Sequence, residues 1–248
     1  MKVVVIGGTG LIGSKLVTKL GEQGHEAVPA APETGVDTLT GEGLTEVLKD
    51  ASVVVDVSNS PSFADDDVMH FFRTSTTHLL RAEAEAGVAH HVVLSVVGTE
   101  RLQDSGYFRA KQAQEELVRA SGIPFSIVHA TQFFEFLKGI TDAATDGDTV
   151  RLAPVGIRPV HSDDVAAAVC RTALGPPAGG VVEVTGPESF QLDELVRDSL
   201  AAEGDPRRVV ADPEAPYFGA RLGRTTLLPG PGARPGGTRI ADWAARQR

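Results

Sequence analysis

An α/β protein with a doubly wound parallel sheet is predicted by three observations. Short β-branched runs alternate with amphipathic stretches through the first 130 residues. The opening run ends in a glycine-rich turn that leads straight into a helical pattern. The chain has 248 residues, 42% of them hydrophobic, enough for one large α/β domain or a core with a small appended lobe. Strands that alternate with helices form βαβ units, whose parallel sheet is buried on both faces.

The elements follow in order. Lys2–Ile6 reads as a buried strand and Leu11–Gln23 as a helix, with Leu11, Ile12, Leu16 and Leu20 near one face and Gly24 as its stop. His25–Ala30 is a second strand, and Leu44–Lys49 a short helix after a glycine-rich turn. Ser52–Val57 is a strand, apolar but for Asp56, and Val68–Ala86 a helix ended by Gly87. His91–Val96, Tyr107–Ala120 and Phe125–His129 continue the alternation. From about residue 132 to 248 the rhythm loosens, and this half is expected to add a small substrate lobe to a single domain spanning 1–248. It holds an aromatic helix start at Phe133, Phe134 and Phe136, strands at Thr149–Leu152 and Val181–Val184, and helices at Asp163–Leu174 and Leu192–Ala202. Residues 219–237, rich in Gly, Pro and Arg, read as an ordered loop or a mobile flap.

Charge and composition narrow the function. Lys and Arg number 23 against 33 Asp and Glu, a formal charge of −10. Such a surface repels phosphate backbones, so nucleic acid is not an expected partner. No apolar run approaches the ~20 residues of a membrane span, and Val3–Ile6 is too short for a signal-peptide core. Cys170 is the single cysteine, as suits a reducing compartment. A soluble, cytoplasmic protein acting on a small molecule is expected; no feature of the sequence sets an oligomeric state.

The most informative stretch is Val3-Val4-Val5-Ile6-Gly7-Gly8-Thr9-Gly10-Leu11-Ile12-Gly13. It contains Gly8-x-Gly10-x-x-Gly13 after a strand and at the opening of a helix, the context in which that motif binds a dinucleotide. Glycine allows a tight turn, close approach of a pyrophosphate to the backbone, and close helix–strand packing. Free N–H groups and the helix dipole then hold the anion. Gly7, Thr9, Gly10, Leu11, Ile12 and Gly13 are the candidate cofactor-binding residues. At the adenosine end the second strand finishes at Ala30-Ala31 without a carboxylate; Glu33 and Asp37 come later. Ala31 leaves room for a 2′-phosphate, with Lys15 the nearest candidate cation, so NADP is favoured and NAD also possible.

Ser105-Gly106-Tyr107-Phe108-Arg109-Ala110-Lys111 contains Tyr-x-x-x-Lys, whose ends share a helix face. An ammonium near a phenol favours the phenolate, lowering its reference pKa of ~10. Tyr107 could then exchange a proton with a carbonyl oxygen or an alcohol while hydride moves to or from a nicotinamide. The same spacing also fits a packed Tyr and an exposed Lys at an ordinary helix start. Ser95 ends the preceding strand, where its hydroxyl could hold the substrate oxygen.

The chain resembles the short-chain dehydrogenase/reductase superfamily, in particular its atypical branch of NmrA-like NAD(P)-binding proteins. The resemblance is carried by Gly7–Gly13, Val57-Ser58-Asn59, Leu94-Ser95-Val96-Val97-Gly98 and Tyr107–Lys111. Ala120–Pro124, His129–Phe133, Pro159–Ala166 and Thr185–Glu188 also match. It implies a Rossmann-type sheet, a nicotinamide cofactor, and a Ser95–Tyr107–Lys111 set acting on a carbonyl or hydroxyl. Tyr107 would be the acid/base. Lys111 would bond the nicotinamide ribose and depress the tyrosine pKa. Ser95 would orient the carbonyl, and Ser58 and Asn59 would line the cofactor near its ribose. NmrA-like members often lack a working tyrosine, and some sense the redox state of the cofactor without chemistry; this chain keeps both Tyr107 and Lys111.

Other clusters read as structural. His161-Ser162-Asp163-Asp164 suits a helix N-terminus capped by Ser162, and His90-His91 a solvated turn. Asp65-Asp66-Asp67 reads as a charged helix start, and the histidines show no zinc spacing. Phe133, Phe134 and Phe136 fit either a substrate pocket or core. An NAD(P)(H)-dependent oxidoreductase on a small carbonyl, quinone or alcohol is the leading reading. A non-catalytic NAD(P) sensor and an NAD(P)-dependent epimerase or dehydratase are the alternatives.

Overall fold

The computed structural model describes residues 1–246. Its first half runs β1 (Lys2–Ile6), α1 (Leu11–Glu22), β2 (Glu26–Ala30), α2 (Leu44–Val47), β3 (Ala51–Asp56), α3 (Asp65–Ala86), β4 (His90–Val96), α4 (Gly106–Ala120) and β5 (Phe125–Ala130). The second half runs α5 (Leu137–Ala143), β6 (Thr145–Asp146), β7 (Thr149–Leu152), β8 (Gly156–Ile157), α6 (Ser162–Leu174), β9 (Val181–Thr185) and β10 (Phe190–Gln191). It closes with α7 (Leu192–Glu203), β11 (Arg208–Ala211), β12 (Arg234–Pro235) and α8 (Ile240–Arg246).

Seven strands form the central sheet in the order β12-β9-β5-β4-β3-β1-β2, every pair parallel. The chain leaves β1 toward β2 on one side and returns to β3 on the other. That reversal opens a crevice beyond the carboxyl ends of β1 and β3, the place where open α/β sheets bind ligands. The strand residues alternate between two cores. Val3, Val5, Val53 and Val55 pack with Leu16 and Leu20 of α1 and Val165 and Val169 of α6. Val4, Ile6 and Val54 face α2 and α3, while Val93 and Ile127 meet Leu80 and Val118. A further core, from Leu137 and Val150 through Leu195 to Leu227, belongs to the second half and reaches Leu102 and Phe108 beside α4.

Three sequence expectations change. His90 and His91 are buried in β4 rather than in a solvated turn: His90 Nε2 pairs with Ser126 Oγ at 2.9 Å and His91 Nδ1 with Glu83 Oε1 at 2.8 Å. Local polarity suggested a turn, but β3 and β5 on either side draw the segment into the sheet. The cap of α6 is His161, whose Nδ1 accepts from Asp163 N at 3.2 Å; Ser162 lies inside the helix and donates to Glu135. Within 219–237, Arg234–Pro235 extends the sheet by pairing with Val184–Thr185. No helix among the described residues is long and apolar enough to cross a membrane.

Candidate functional site

The glycine turn links β1 to α1. Gly7 has φ +74, and a Cβ there would sit 2.9 Å from the Ser58 backbone. A Cβ on Gly13 would lie 2.1 Å from Gly7 O, so these two glycines let α1 and the β3 loop close on the turn. Gly10 differs. Its Cβ would meet only Gly7 O, at 3.3 Å, and otherwise enter open space. Gly10 is the N-cap of α1, makes no side-chain cap bond, and no carboxylate stands in the first turn. The helix start therefore presents free N–H groups and its positive dipole end to open space that a side chain at Gly10 would enter. A pyrophosphate fits this cradle. Ile12 is buried in the core, while Leu11 stands exposed at the rim.

Two neighbours bear on the adenosine end. Thr9 Oγ1 donates to the Glu33 carboxylate, which folds back from the turn after β2 onto the glycine loop. That bond and a backbone N–H keep the Glu33 carboxyl below its ordinary pKa. Lys15, the cation nearest the loop in sequence, is instead paired with Asp163 of α6.

The β3 end is organised by Asp56, 2% exposed. Its Oδ1 accepts from Ser58 N at 2.9 Å and Ser58 Oγ at 2.6 Å, which fixes the loop carrying Ser58 and Asn59. Its Oδ2 accepts from Gln114 Nε2 at 2.9 Å. Gln114 Oε1 in turn accepts from Lys111, whose Nζ also donates to Leu94 O at 2.9 Å. Lys111 Nζ stands 4.4 Å from the Phe72 ring centroid. Burial brings its pKa down to about 8, with Asp56 and Glu115 opposing the fall.

Tyr107 lies one turn before Lys111, at the first turn of α4. Its hydroxyl reaches Asn59 Oδ1 at 3.4 Å, joining α4 to the β3 loop. Phe63 and Phe72 wall its ring at centroid distances of 5.6 and 6.1 Å. Burial pushes its pKa up to about 12, opposite to the direction implied by a lysine neighbour; the Lys111 ammonium is bonded to Leu94 and Gln114. Ser95 is 1% exposed, and its Oγ donates to Glu115 Oε1 at 2.6 Å. Glu115 also pairs with His129 Nε2 at 2.8 Å, and these bonds outweigh burial to hold its carboxyl below the ordinary value. No hydrogen bond joins Ser95 to Tyr107, so the structure brings Tyr107, Lys111, Asn59 and Ser58 together and spends the Ser95 hydroxyl beneath them.

Sequence reading missed several members of this site. Asp56 was visible as the one charge in an apolar strand, and Gln114 as the residue three beyond Lys111 on the same helix face. Glu33 and Glu115 had no local signal, because tertiary packing brings their partners to them. Of the phenylalanines after β5, Phe134 is core, packed on His161 and Trp243, whereas Phe136 is exposed and stacks on Phe133.

Comparison with known proteins gives a family and a fold. A family model described as NAD(P)H-binding matches residues 7–176. The Photosystem II assembly factor Ycf39 of Synechocystis sp. is 23% identical over 235 residues, 87% of this chain and 72% of that protein. Among solved structures, a dTDP-glucose 4,6-dehydratase double mutant from Streptomyces venezuelae with NAD bound superposes with a TM-score of 0.74 at 19% identity, covering 99% of this chain and 95% of that one. The UDP-glucose 4-epimerase of Thermus thermophilus in complex with NAD gives 0.69 at 18% identity, covering 92% of each. At these identities the structures share the fold.

Proposed function

The chain belongs to the NAD(P)H-binding family, and from that premise we propose that it is an oxidoreductase that reduces a small carbonyl or quinone. The observation that carries the proposal is that the loop after β3 touches both parts: its Ser58 backbone closes on Gly7 of the glycine turn, and its Asn59 accepts from the Tyr107 hydroxyl. Gly7, Thr9, Gly10, Leu11, Ile12 and Gly13 would hold the pyrophosphate, and Ser58, Asn59 and Lys111 the nicotinamide ribose. A nicotinamide supplies hydride chemistry; the protein's part is binding, orientation and proton supply.

Tyr107 suits one direction of that chemistry. A phenol pushed up to about 12 stays protonated at neutral pH. It can give its proton to the oxygen of a carbonyl that is becoming an alkoxide, a far stronger base. It is a poor base for taking a proton from an alcohol, so reduction is the favoured direction. Lys111, at about 8, keeps much of its charge at neutral pH one helical turn from Tyr107, where it would bond the nicotinamide ribose. The Ser95 bond to Glu115 supports a positioning part for this residue, fixing β4 against α4, rather than direct contact with the carbonyl.

The cofactor preference we propose is NAD. Ala31 alone pointed to NADP, but the ionised Glu33 stands beside Thr9 on the glycine loop, and Lys15 is engaged by Asp163. A carboxylate there accepts from a ribose diol and repels a 2′-phosphate.

A second reading is a non-catalytic NAD(P)-binding protein. It is supported by the commitment of the Lys111 amine to Leu94 and Gln114 and of Ser95 to Glu115. Calorimetry with each nicotinamide cofactor, followed by a cofactor-oxidation screen over aldehydes, ketones and quinones, separates the two. Both bind cofactor, and turnover belongs to the first alone.

A further inference from the structure

Three buried side chains beneath the site form a line of hydrogen bonds with a fixed sense. Asp56 is 2% exposed, Gln114 1% and Lys111 2%. An ammonium only donates and an ionised carboxylate only accepts. Gln114 stands between the two, so its Oε1 must face Lys111 and its Nε2 must face Asp56, as they do. Asp56 Oδ1 is committed to the Ser58 N–H and hydroxyl, at 2.9 and 2.6 Å, which leaves Oδ2 for Gln114 at 2.9 Å. The direction of the amide on α4 is thus set by a carboxylate on β3.

Lys111 depends on that amide. Among the described residues its Nζ has two oxygen partners, Leu94 O at 2.9 Å and Gln114 Oε1. From α3 it meets only the face of the Phe72 ring, 4.4 Å away. The charges that act on it are Asp56 on β3 and Glu115 on α4, and Glu115 is already bonded to Ser95 and His129. Tyr107 is one turn away on its own helix. A buried ammonium gives up its proton unless acceptors and an opposite charge hold it. Gln114 supplies the contact and Asp56 the charge behind it. The same carboxylate fixes Ser58, the neighbour of the Asn59 that accepts from the Tyr107 hydroxyl.

We propose that Asp56 and Gln114 are positioning residues that keep the Lys111 ammonium charged and aimed, Asp56 setting the direction of the Gln114 amide and tying it to the loop of Ser58 and Asn59. A relay with a fixed sense has a signature that packing lacks: reversing one link breaks it, and reversing both restores it. In Asp56→Asn the remaining oxygen stays with Ser58, because the Ser58 backbone N–H cannot reverse, and an NH2 group is turned on Gln114. Gln114 then either meets it donor to donor or flips and turns its own NH2 on Lys111. Adding Gln114→Glu gives a side chain that accepts from both neighbours and returns the negative charge one link nearer Lys111.

The inference rests on the oxidoreductase reading only for what Lys111 does at the cofactor, so the test reads Lys111 first in the cofactor-free protein. NMR titration of the lysine side chains follows its ionisation, its signal being the one lost in Lys111→Met. Asp56→Asn should lower its pKa by about 1 or more, and so should Gln114→Leu, which leaves Asp56 bonded to Ser58. Asp56→Asn with Gln114→Glu should restore the wild-type value or exceed it. Asp56→Asn and Gln114→Glu should each lower the melting temperature, and the double variant should melt above both, where two packing defects would add. Calorimetry should show NADH affinity about tenfold weaker in Asp56→Asn and recovered in the double variant. A Lys111 titration unmoved by Asp56→Asn and Gln114→Leu, or a double variant that fails to melt above both single ones, overturns the proposal. A titration that shifts and recovers while NADH affinity stays constant upholds the relay and overturns the placing of Lys111 at the nicotinamide ribose instead.

Discussion

Lys111 and Tyr107 show how far a spacing rule reaches at the scale of single residues. The Tyr-x-x-x-Lys interval places both on α4, as the sequence implies, but their environments come from elsewhere: Leu94 on β4, Asn59 after β3, and Gln114 tied to Asp56. A pattern read along one helix cannot see those partners, so the expected lowering of the tyrosine pKa is replaced by a rise. The pH dependence follows. With Tyr107 protonated across the working range, kcat/KM for carbonyl reduction should fall as pH rises through about 8, where Lys111 loses its charge. Lys111→Met should lower activity and abolish that break. A break that persists in Lys111→Met assigns it to another group. At the adenosine end, Glu33→Gln removes the charge beside Thr9. The ratio of NADP to NAD affinity should then rise about tenfold, and calorimetry on the variant that finds the ratio unchanged would place the ribose elsewhere.

At the scale of elements, the glycine turn and β4 stand in contrast. The turn was legible because its glycines, the strand before and the helix after are contiguous. The structure adds a division of labour among them, since Gly7 and Gly13 are required by packing and Gly10 leaves open space. Gly10→Val should therefore fold with near-normal stability and lose cofactor affinity by about a hundredfold or more, as a side chain displaces the pyrophosphate from the N–H groups. Unfolding by denaturant checks the first statement and calorimetry the second.

The start of β4 was illegible for the opposite reason, because two adjacent histidines look solvated until their strand partners are known. Burial and the neighbouring His91 push His90 down to about 4. In the window from the ordinary value of 6.5 to about 4, the unfolded chain binds a proton at this position that the native one refuses. Stability should fall as pH drops through it, by about 1–3 kcal/mol. His91 acts in the other window. Glu83 and Asp56 outweigh burial and raise its pKa, so its contribution is complete below 6.5 and is lost as pH rises through the raised value. Urea midpoints across pH should show the acid slope reduced in His90→Gln; an unchanged slope would assign acid sensitivity to other groups.

For the whole molecule, the alternation of strands and helices over the first half was enough to anticipate a doubly wound sheet, and the strand order puts its reversal point between β1 and β3. The second half resisted because its strands are two to five residues long and are completed by distant partners, as when Arg208–Ala211 pairs with Thr149–Leu152. That half nevertheless packs Tyr217 against Phe108 of α4, so the two halves share one core beside that helix. The most direct test of the central claim is the NADH-dependent turnover of Tyr107→Phe beside wild type on small aldehydes and ketones. Wild type should reduce them, and the variant should fall by about 10²–10⁴-fold with its affinity for NADH unchanged. Two proteins that bind NADH equally and reduce nothing, or reduce equally fast, would contradict it.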